Sequence, residues 1–511
     1  MENDIRYYSG YIRNWRKLCE ELGIEPDCDR ESRERQILQK GYTRWGVEIG
    51  NHIYGSFAFA IWDVKKQELF CERDQFGTRS FYYYMTEKGE MLCSGSLKEL
   101  IGENVFVKKI NPDALQIYLM FSYPAGEDTL FAGVKKLMPG CCLTWVKGSS
   151  QPSIGRYWKA EFIPDDSLPM EEWSDRIHNT FSEIMQEENP EYCESFLSGG
   201  VDSSYLLAMS DAKCADSIGY QEEDFDESAL SRETAEYLKR DFRRKVIAPQ
   251  EYFEMIPEVM DYMEQPLGDA SAVAFAIGCK EAAKHTNVCY SGEGADEFFG
   301  GYYGYESADI LAADPAKPYL GCTMIMDQEE LKSLLLNYND RINPYSLVKS
   351  IYEEISGSEL LNRMIAIDLA VWLEGDIFLN VDKMSKAFGL EVRTPLSDRR
   401  MFDVAARIPE KYKIHNGQYK FVFRKAAAKV LPEETAFRKK VGFAVPIRKW
   451  LADSLHNSDV INVLSGEDAG EFFHTDYLKK LWSDYLSGKM DLWRPIYAIY
   501  AFLIWYRRYF H

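Results

Sequence analysis

From Phe196 to Leu207 the chain reads FLSGGVDSSYLL, a strand-like run that gives way through two glycines to a helix-like one. Gly199 and Gly200 let backbone N–H groups approach an anion closely, and the start of a helix carries partial positive charge. Ser198, Ser203 and Ser204 add hydroxyl donors. The chemistry this suits is phosphate binding. A P-loop would bring its own lysine in G-x-x-x-x-G-K-[ST], and this loop has none. Asp202 is the odd member, because a carboxylate beside phosphates repels them unless a divalent cation bridges the two. A second glycine-rich loop, SGEGADEFFGGYYGY (Ser291–Tyr305), follows the strand-like TNVCY and carries Glu293, Asp296 and Glu297. Open α/β sheets bind their ligands at such strand ends.

Elements that position these loops are legible around them. From about residue 170, short apolar runs (YCESFL, DSIGY, KVIAP, TNVCY) alternate with helical segments, which predicts a parallel sheet covered by helices. The last third reads as helical and aromatic-rich. The first 150 residues differ: YGSFAFAIWD, ELFCERD, SFYYYM and CCLTWV predict strands, some buried on both faces. RNWRKLCEELG and SRERQILQKGYTRWG predict amphipathic helices beside them. The expected organisation is a layered α+β domain at 1–150, a turn-rich linker at 151–170 that begins in KGSSQPSIG, and an α/β domain at 171–511.

Composition narrows the partners. A net charge of −21 argues against nucleic acid, whose binding needs a basic face. Eleven cysteines without a C-x-x-C pair and seven scattered histidines predict neither zinc nor a disulfide framework, and suit reduced thiols in the cytoplasm. The N-terminus carries no apolar leader. The apolar stretch IYAIYAFLIWY is shorter than the ~20 residues of a membrane span and predicts a buried helix instead.

The loop S-G-G-x-D-S resembles the pyrophosphate loop of the ATP pyrophosphatases. With SIGY, DFDES, EQPLGDASA, SGEGADEFFGGY, DKMSKAFGLEVRTPLSD and RKKVGF, the second domain is similar to the synthetase domain of the asparagine synthetase B family. YGSFAFAIWD and ERDQFGTRSFYYY resemble that family's glutaminase domain. The resemblance implies an Ntn-hydrolase-like first domain, degenerate here, and an adenine nucleotide alpha hydrolase-like parallel-sheet domain with a helical C-terminal part. It implies ATP and Mg2+ as cofactors. Asp202 and Asp296 should hold the metal; Leu197, Ile218 and Gly292 should hold AMP; Ser198, Gly199, Gly200, Ser203 and Ser204 should grip the departing phosphates. Glu293 matches the glutamate that deprotonates incoming ammonia. Lys440 matches the lysine that stabilises the transition state at phosphorus, and Lys383 should also reach the phosphates. The residues support this division of labour: adenylation turns a poor electrophile into one with a good leaving group, and its oxyanions want preorganised cations.

The first domain departs from the family. SGYIRNWRKL resembles a family segment, Asn-Gly-Glu-Ile-Tyr-Asn, that lies well inside that domain, so the strand bearing the N-terminal cysteine nucleophile is expected to be missing. Cys19 and Cys28 are internal and cannot replace it. Ser9-Gly10-Tyr11 stands for Asn-Gly-Glu, and PDCDRESRERQ shows no Ser-Asp-Thr-Glu. The expected function is an ammonia-dependent amide ligase, with aspartate the leading carboxylate and ammonia from solution or a separate glutaminase. The resemblance offers homodimers as one assembly, and a sheet edge bared by lost strands is expected to be covered by a loop, a dimer contact or another protein. The competing reading is a natural-product amide ligase or macrocyclase of the β-lactam synthetase or lasso-cyclase type, using an amine. Glu293 favours ammonia, since β-lactam synthetases carry tyrosine there. A non-catalytic nucleotide-binding scaffold and a tRNA-modifying enzyme fit less well. Arg393 is expected to meet either a substrate carboxylate, or else Glu391 or a backbone carbonyl.

Overall fold

The computed structural model describes residues 3–188, 190–307, 319–321, 323–355, 357–439 and 442–511, without the side chains of 454–457. Lys440 therefore lies outside the described residues. The chain divides into two compact units, Met1–Asn111 with Gly126–Glu161, and Pro112–Ala125 with Phe162–His511.

The first unit holds a five-stranded antiparallel sheet in the order β1-β2-β3-β7-β8 and a three-stranded sheet in the order β5-β4-β6. The strands are β1 (Asn3–Ile12), β2 (Gly55–Asp63), β3 (Glu68–Arg73), β4 (Tyr82–Met85), β5 (Met91–Ser94), β6 (Val134–Lys136), β7 (Cys141–Val146) and β8 (Ser153–Arg156). The reason β2 lacks polar alternation is plain in its packing. Phe57, Phe59 and Ile61 point to one core shared with Leu18, Ile37 and Leu38 of the two amphipathic helices. Ala58 and Ala60 point to the other, with Phe81 and with Tyr83 of the second sheet. Each buried large side chain contributes ~1.5–3 kcal/mol, so both faces must be covered for the strand to stay in place.

Two segments differ from the sequence-based expectation. The stretch expected as linker contains β8, paired from Ser153↔Thr144 to Arg156↔Cys141. Its four residues are all exposed, so no hydrophobic pattern announces it. NDIRYYSGYI forms β1, which its residue pattern does not predict; a register shift between Ile5 and Tyr7 blurs its alternation. In addition, the helix Pro112–Phe121, buried from Ala114 onward, belongs to the second unit.

The second unit is built on a parallel sheet of β9 (Glu194–Phe196), β10 (Cys214–Tyr220), β11 (Asp241–Ile247), β12 (Val288–Tyr290) and β13 (Glu391–Arg393). Its order is β11-β10-β9-β12-β13, with every pair parallel. The chain winds outward from β9 in one direction, then returns to start β12 on the other side. The switch point therefore falls between β9 and β12, and a doubly wound sheet opens its ligand crevice there. Both glycine loops leave the sheet at that point. The C-terminal helix Trp493–Phe510 is buried along most of its length, and no described helix is long and apolar enough to cross a membrane.

Candidate active site

After β9 the chain turns through Leu197–Gly200 into the helix Val201–Met209. Gly199 has φ +81°, and a Cβ there would sit 3.2 Å from that of Leu230, so the turn requires glycine twice over. Ser203 Oγ accepts from Ser198 N (3.2 Å) and lies 3.1 Å from Ser198 Oγ, tying the loop to the helix start. Leu197 N donates to Asp216 O (2.8 Å), while Leu197 O accepts from Ser231 Oγ (3.0 Å).

The second loop packs directly on the first. A Cβ on Gly292 would lie 3.1 Å from Ser203 N. Gly294, at φ +99°, would bring a Cβ to 2.7 Å from Ser397 Cβ. Gly294→Ala is therefore expected to cost about 2–4 kcal/mol, from left-handed strain plus overpacking; urea denaturation checks it, and a wild-type midpoint would contradict it.

The loops enclose a cavity of about 380 Å³. Leu197, Ser198, Gly200, Asp202 and Ser203 line it from the first loop, and Gly292, Glu293 and Asp296 from the second, with Ile218 of β10 beside them. Gly199 and Ser204 do not line it: Ser204 is fully buried. Ser291 Oγ donates to Glu293 Oε1 (3.1 Å).

The strongest electrostatic feature has no counterpart among the sequence motifs. Lys420, only 1% exposed, places Nζ 2.6 Å from both carboxylate oxygens of Asp202 and 2.6 Å from Asp296 Oδ1. Burial alone would lower its pKa; the two carboxylates outweigh burial and hold it above the ordinary lysine value. Lys420 has φ +53°, the left-handed start of the helix Phe421–Ala427. One turn on, Arg424 donates to the carbonyls of Ala436 (2.8 Å) and Arg438 (2.9 Å). That clamp presents Arg438, whose Nη1 donates to Gly199 O at 2.9 Å. Arg438 and Lys439 thus line the cavity immediately before Lys440.

Lys383 does not line the cavity. It is 6% exposed and ion-paired with Glu264, which is equally buried. The pair anchors the stretch EQPLGDASA, whose Asp269 and Ser271 do line the cavity. Arg393 is engaged by Glu391 and by Glu188 (2.6 Å). Glu297, also on the cavity wall, is held at about 8 by burial and then by the charge of Asp296, and it accepts from the Tyr302 hydroxyl.

A doubly wound sheet with two glycine loops and a cation-bridged carboxylate pair at its switch point is the layout of a ligand-handling α/β domain. The comparisons identify which kind. Residues 185–507 match the asparagine synthase family, and residues 2–158 match the glutamine amidotransferase domain. Asparagine synthetase [glutamine-hydrolyzing] 1 of Bacillus subtilis is 31% identical over 98% of this chain and 84% of its own length. A putative asparagine synthetase [glutamine-hydrolyzing] of Mycobacterium tuberculosis is 28% identical, with the same two shares. Asparagine synthetase [glutamine-hydrolyzing] 3 of Bacillus subtilis is 27% identical over 85% of this chain and 74% of its own. The chain belongs to the asparagine synthase family, and with it to the carbon–nitrogen ligases.

Proposed function

We propose that this chain is an AMP- and pyrophosphate-forming amide ligase that adenylates a carboxylate, aspartate first among candidates, and transfers the acyl group to ammonia without hydrolysing glutamine itself. The observation that carries this reading is the convergence of Asp202 and Asp296 on Lys420 beside the phosphate loop. Asp202 and Asp296 bring the hard carboxylate oxygens that magnesium takes to one side of the loop, around Lys420 Nζ, so their chemistry fits that ion. When bound, magnesium would neutralise the β and γ phosphates of ATP.

The residues then divide the work. Backbone N–H groups of the loop, with the Ser198 and Ser203 hydroxyls, grip the phosphates. Lys420, Arg438, Lys439 and Lys440 supply the positive charge that a pentacoordinate phosphorus wants. A carboxylate oxygen of the substrate attacks the α-phosphorus and pyrophosphate leaves. Glu293, steadied by Ser291, accepts the proton that ammonium must lose. Ammonia attacks the acyl carbon and AMP leaves with one oxygen of the original carboxylate.

Residues within the first unit support the lack of glutamine hydrolysis. Tyr11, where the family has the glutamate of Asn-Gly-Glu, is buried and accepts from Arg13 Nη2 at 2.7 Å. The thiols of Cys19, Cys71, Cys141 and Cys142 are all pushed up by burial, whereas a nucleophilic cysteine needs its pKa lowered.

The test is product analysis by mass with ATP, Mg2+ and L-aspartate, supplied with ammonium, with glutamine, or with neither. Asparagine from ammonium alone is expected. Asparagine from glutamine would overturn the reading of the first unit. Absence of AMP and amide with every carboxylate of a broad panel would overturn the ligase reading.

A further inference from the structure

Ten cysteines among the described residues are free thiols; Cys28 and Cys93 are partly exposed and the others are buried. The ligase chemistry uses none of them. One pair in the first unit is set apart by its surroundings.

Cys71 lies in the middle of β3, opposite Ala60 of β2 on one side and Leu143 of β7 on the other. It is fully buried and points, with Leu69, into the core between the two sheets. Cys93 lies in β5, opposite Tyr83 of β4, and packs against that same core from the second sheet. The two thiols therefore meet across the layer, close enough to share a hydrogen bond. A third thiol, Cys142, acts on Cys71 through its charge, but it packs in the opposite core, on the helix side of the first sheet. Successive side chains of a strand leave opposite faces, so a disulfide from Cys71 to Cys142 would have to turn one strand over. Cys93 is the partner that needs no such movement.

Access to the pair is unequal. β5 ends the sheet β5-β4-β6, and its Met91, Leu92 and Cys93 are all partly exposed. A small oxidant reaches Cys93 from that edge. Cys71 has no surface of its own, and burial keeps its thiol protonated, so it is inert to reagents in solution. An accessible thiol backed by a second thiol is the arrangement in which oxidation of the first is resolved by the other.

We propose that Cys71 and Cys93 are a thiol-modification site, oxidised by hydroperoxides to a reversible disulfide that ties the two sheets of the first unit together. The Cys93 sulfur attacks the hydroperoxide and breaks its O–O bond. The sulfur keeps one oxygen as a sulfenic acid, and an alcohol or water leaves with the proton of the thiol. The Cys71 sulfur then attacks the Cys93 sulfur, and its own proton departs with the displaced hydroxide as water. A dithiol reductant returns both thiols by exchange. The bond closes a loop of roughly 20 residues and so restricts the unfolded chain. This site stands apart from the ligase reading and is tested without any turnover.

The folded full-length chain is treated with hydrogen peroxide, blocked with an alkylating agent in denaturant, and mapped by mass spectrometry. A Cys71–Cys93 cross-link is expected as the dominant disulfide, and dithiothreitol is expected to remove it. In Cys93→Ser, oxidation of Cys71 is expected to slow ~10-fold or more, because the accessible thiol is gone. In Cys71→Ala, Cys93 is expected to stop at a sulfenic acid that dimedone traps. Thermal midpoints check that both variants are folded, and the wild-type map stands without them. Four results would overturn the inference: no oxidation of either thiol, Cys93 oxidised in the wild type with Cys71 still alkylated, Cys71 joined to Cys142 or another thiol, or Cys71 oxidised at the wild-type rate in folded Cys93→Ser.

Discussion

Lys420→Met is expected to remove pyrophosphate release almost completely, by ~10³-fold or more, because it deletes a preorganised cation from the phosphate end of the site. The same change should destabilise the fold. Lys420 is buried between Asp202 and Asp296, and removing one partner of such a set leaves two carboxylates facing each other. Breaking a buried ion pair in this way costs about 3–5 kcal/mol. In a unit of this size that is a fall of roughly 4–7 °C in the thermal midpoint. The double change Lys420→Met with Asp202→Asn relieves the repulsion, so it should recover part of the midpoint and none of the activity. Scanning fluorimetry and a pyrophosphate assay separate the two effects. A Lys420→Met protein with wild-type turnover would remove the lysine from the phosphate machinery.

Glu293→Gln should divide the reaction in two. Glutamine keeps the shape and the bond from Ser291 Oγ but cannot accept a proton from ammonium. Loss of a general base at this step should slow amide formation ~10²–10⁴-fold. Adenylation does not use that proton transfer, so pyrophosphate formed in the first turnover should stay within ~10-fold of wild type. Quenched-flow measurement of pyrophosphate and amide in one reaction resolves the two. Equal loss of both would assign Glu293 to substrate binding or to loop structure.

The sequence is most informative where one local pattern has one structural solution. Paired glycines between an apolar run and a helix-like run mark a turn that only glycine permits, and Gly199 and Gly294 bear left-handed φ at the two loops. The parallel sheet follows from strands alternating with helices, and β2 from a run too apolar to have a wet face. Elements held by tertiary contact are less visible. β8 is exposed throughout and exists because Cys141–Thr144 offers it backbone partners. β1 is disguised by its register shift.

The same contrast runs through the site. Asp202, Ser203, Glu293 and Asp296 lie in loops whose glycines announce them. Lys420 sits in HNGQYKF, where no local pattern separates it from a solvated lysine. Its meaning comes from two carboxylates 218 and 124 residues away in sequence. Lys383 misleads for the opposite reason. Its motif is conspicuous, yet its ammonium serves Glu264 and so holds the Asp269 segment in place, away from the cavity itself.

The most direct test of the central claim follows oxygen. L-aspartate labelled with ¹⁸O in its carboxylates is turned over with ATP, Mg2+ and ammonium, and the nucleotide products are weighed. Attack of the carboxylate on the α-phosphorus predicts AMP carrying one ¹⁸O and unlabelled pyrophosphate. ADP together with ¹⁸O-labelled inorganic phosphate would place the attack at the γ-phosphorus, and would contradict an adenylating role for the phosphate loop and Lys420.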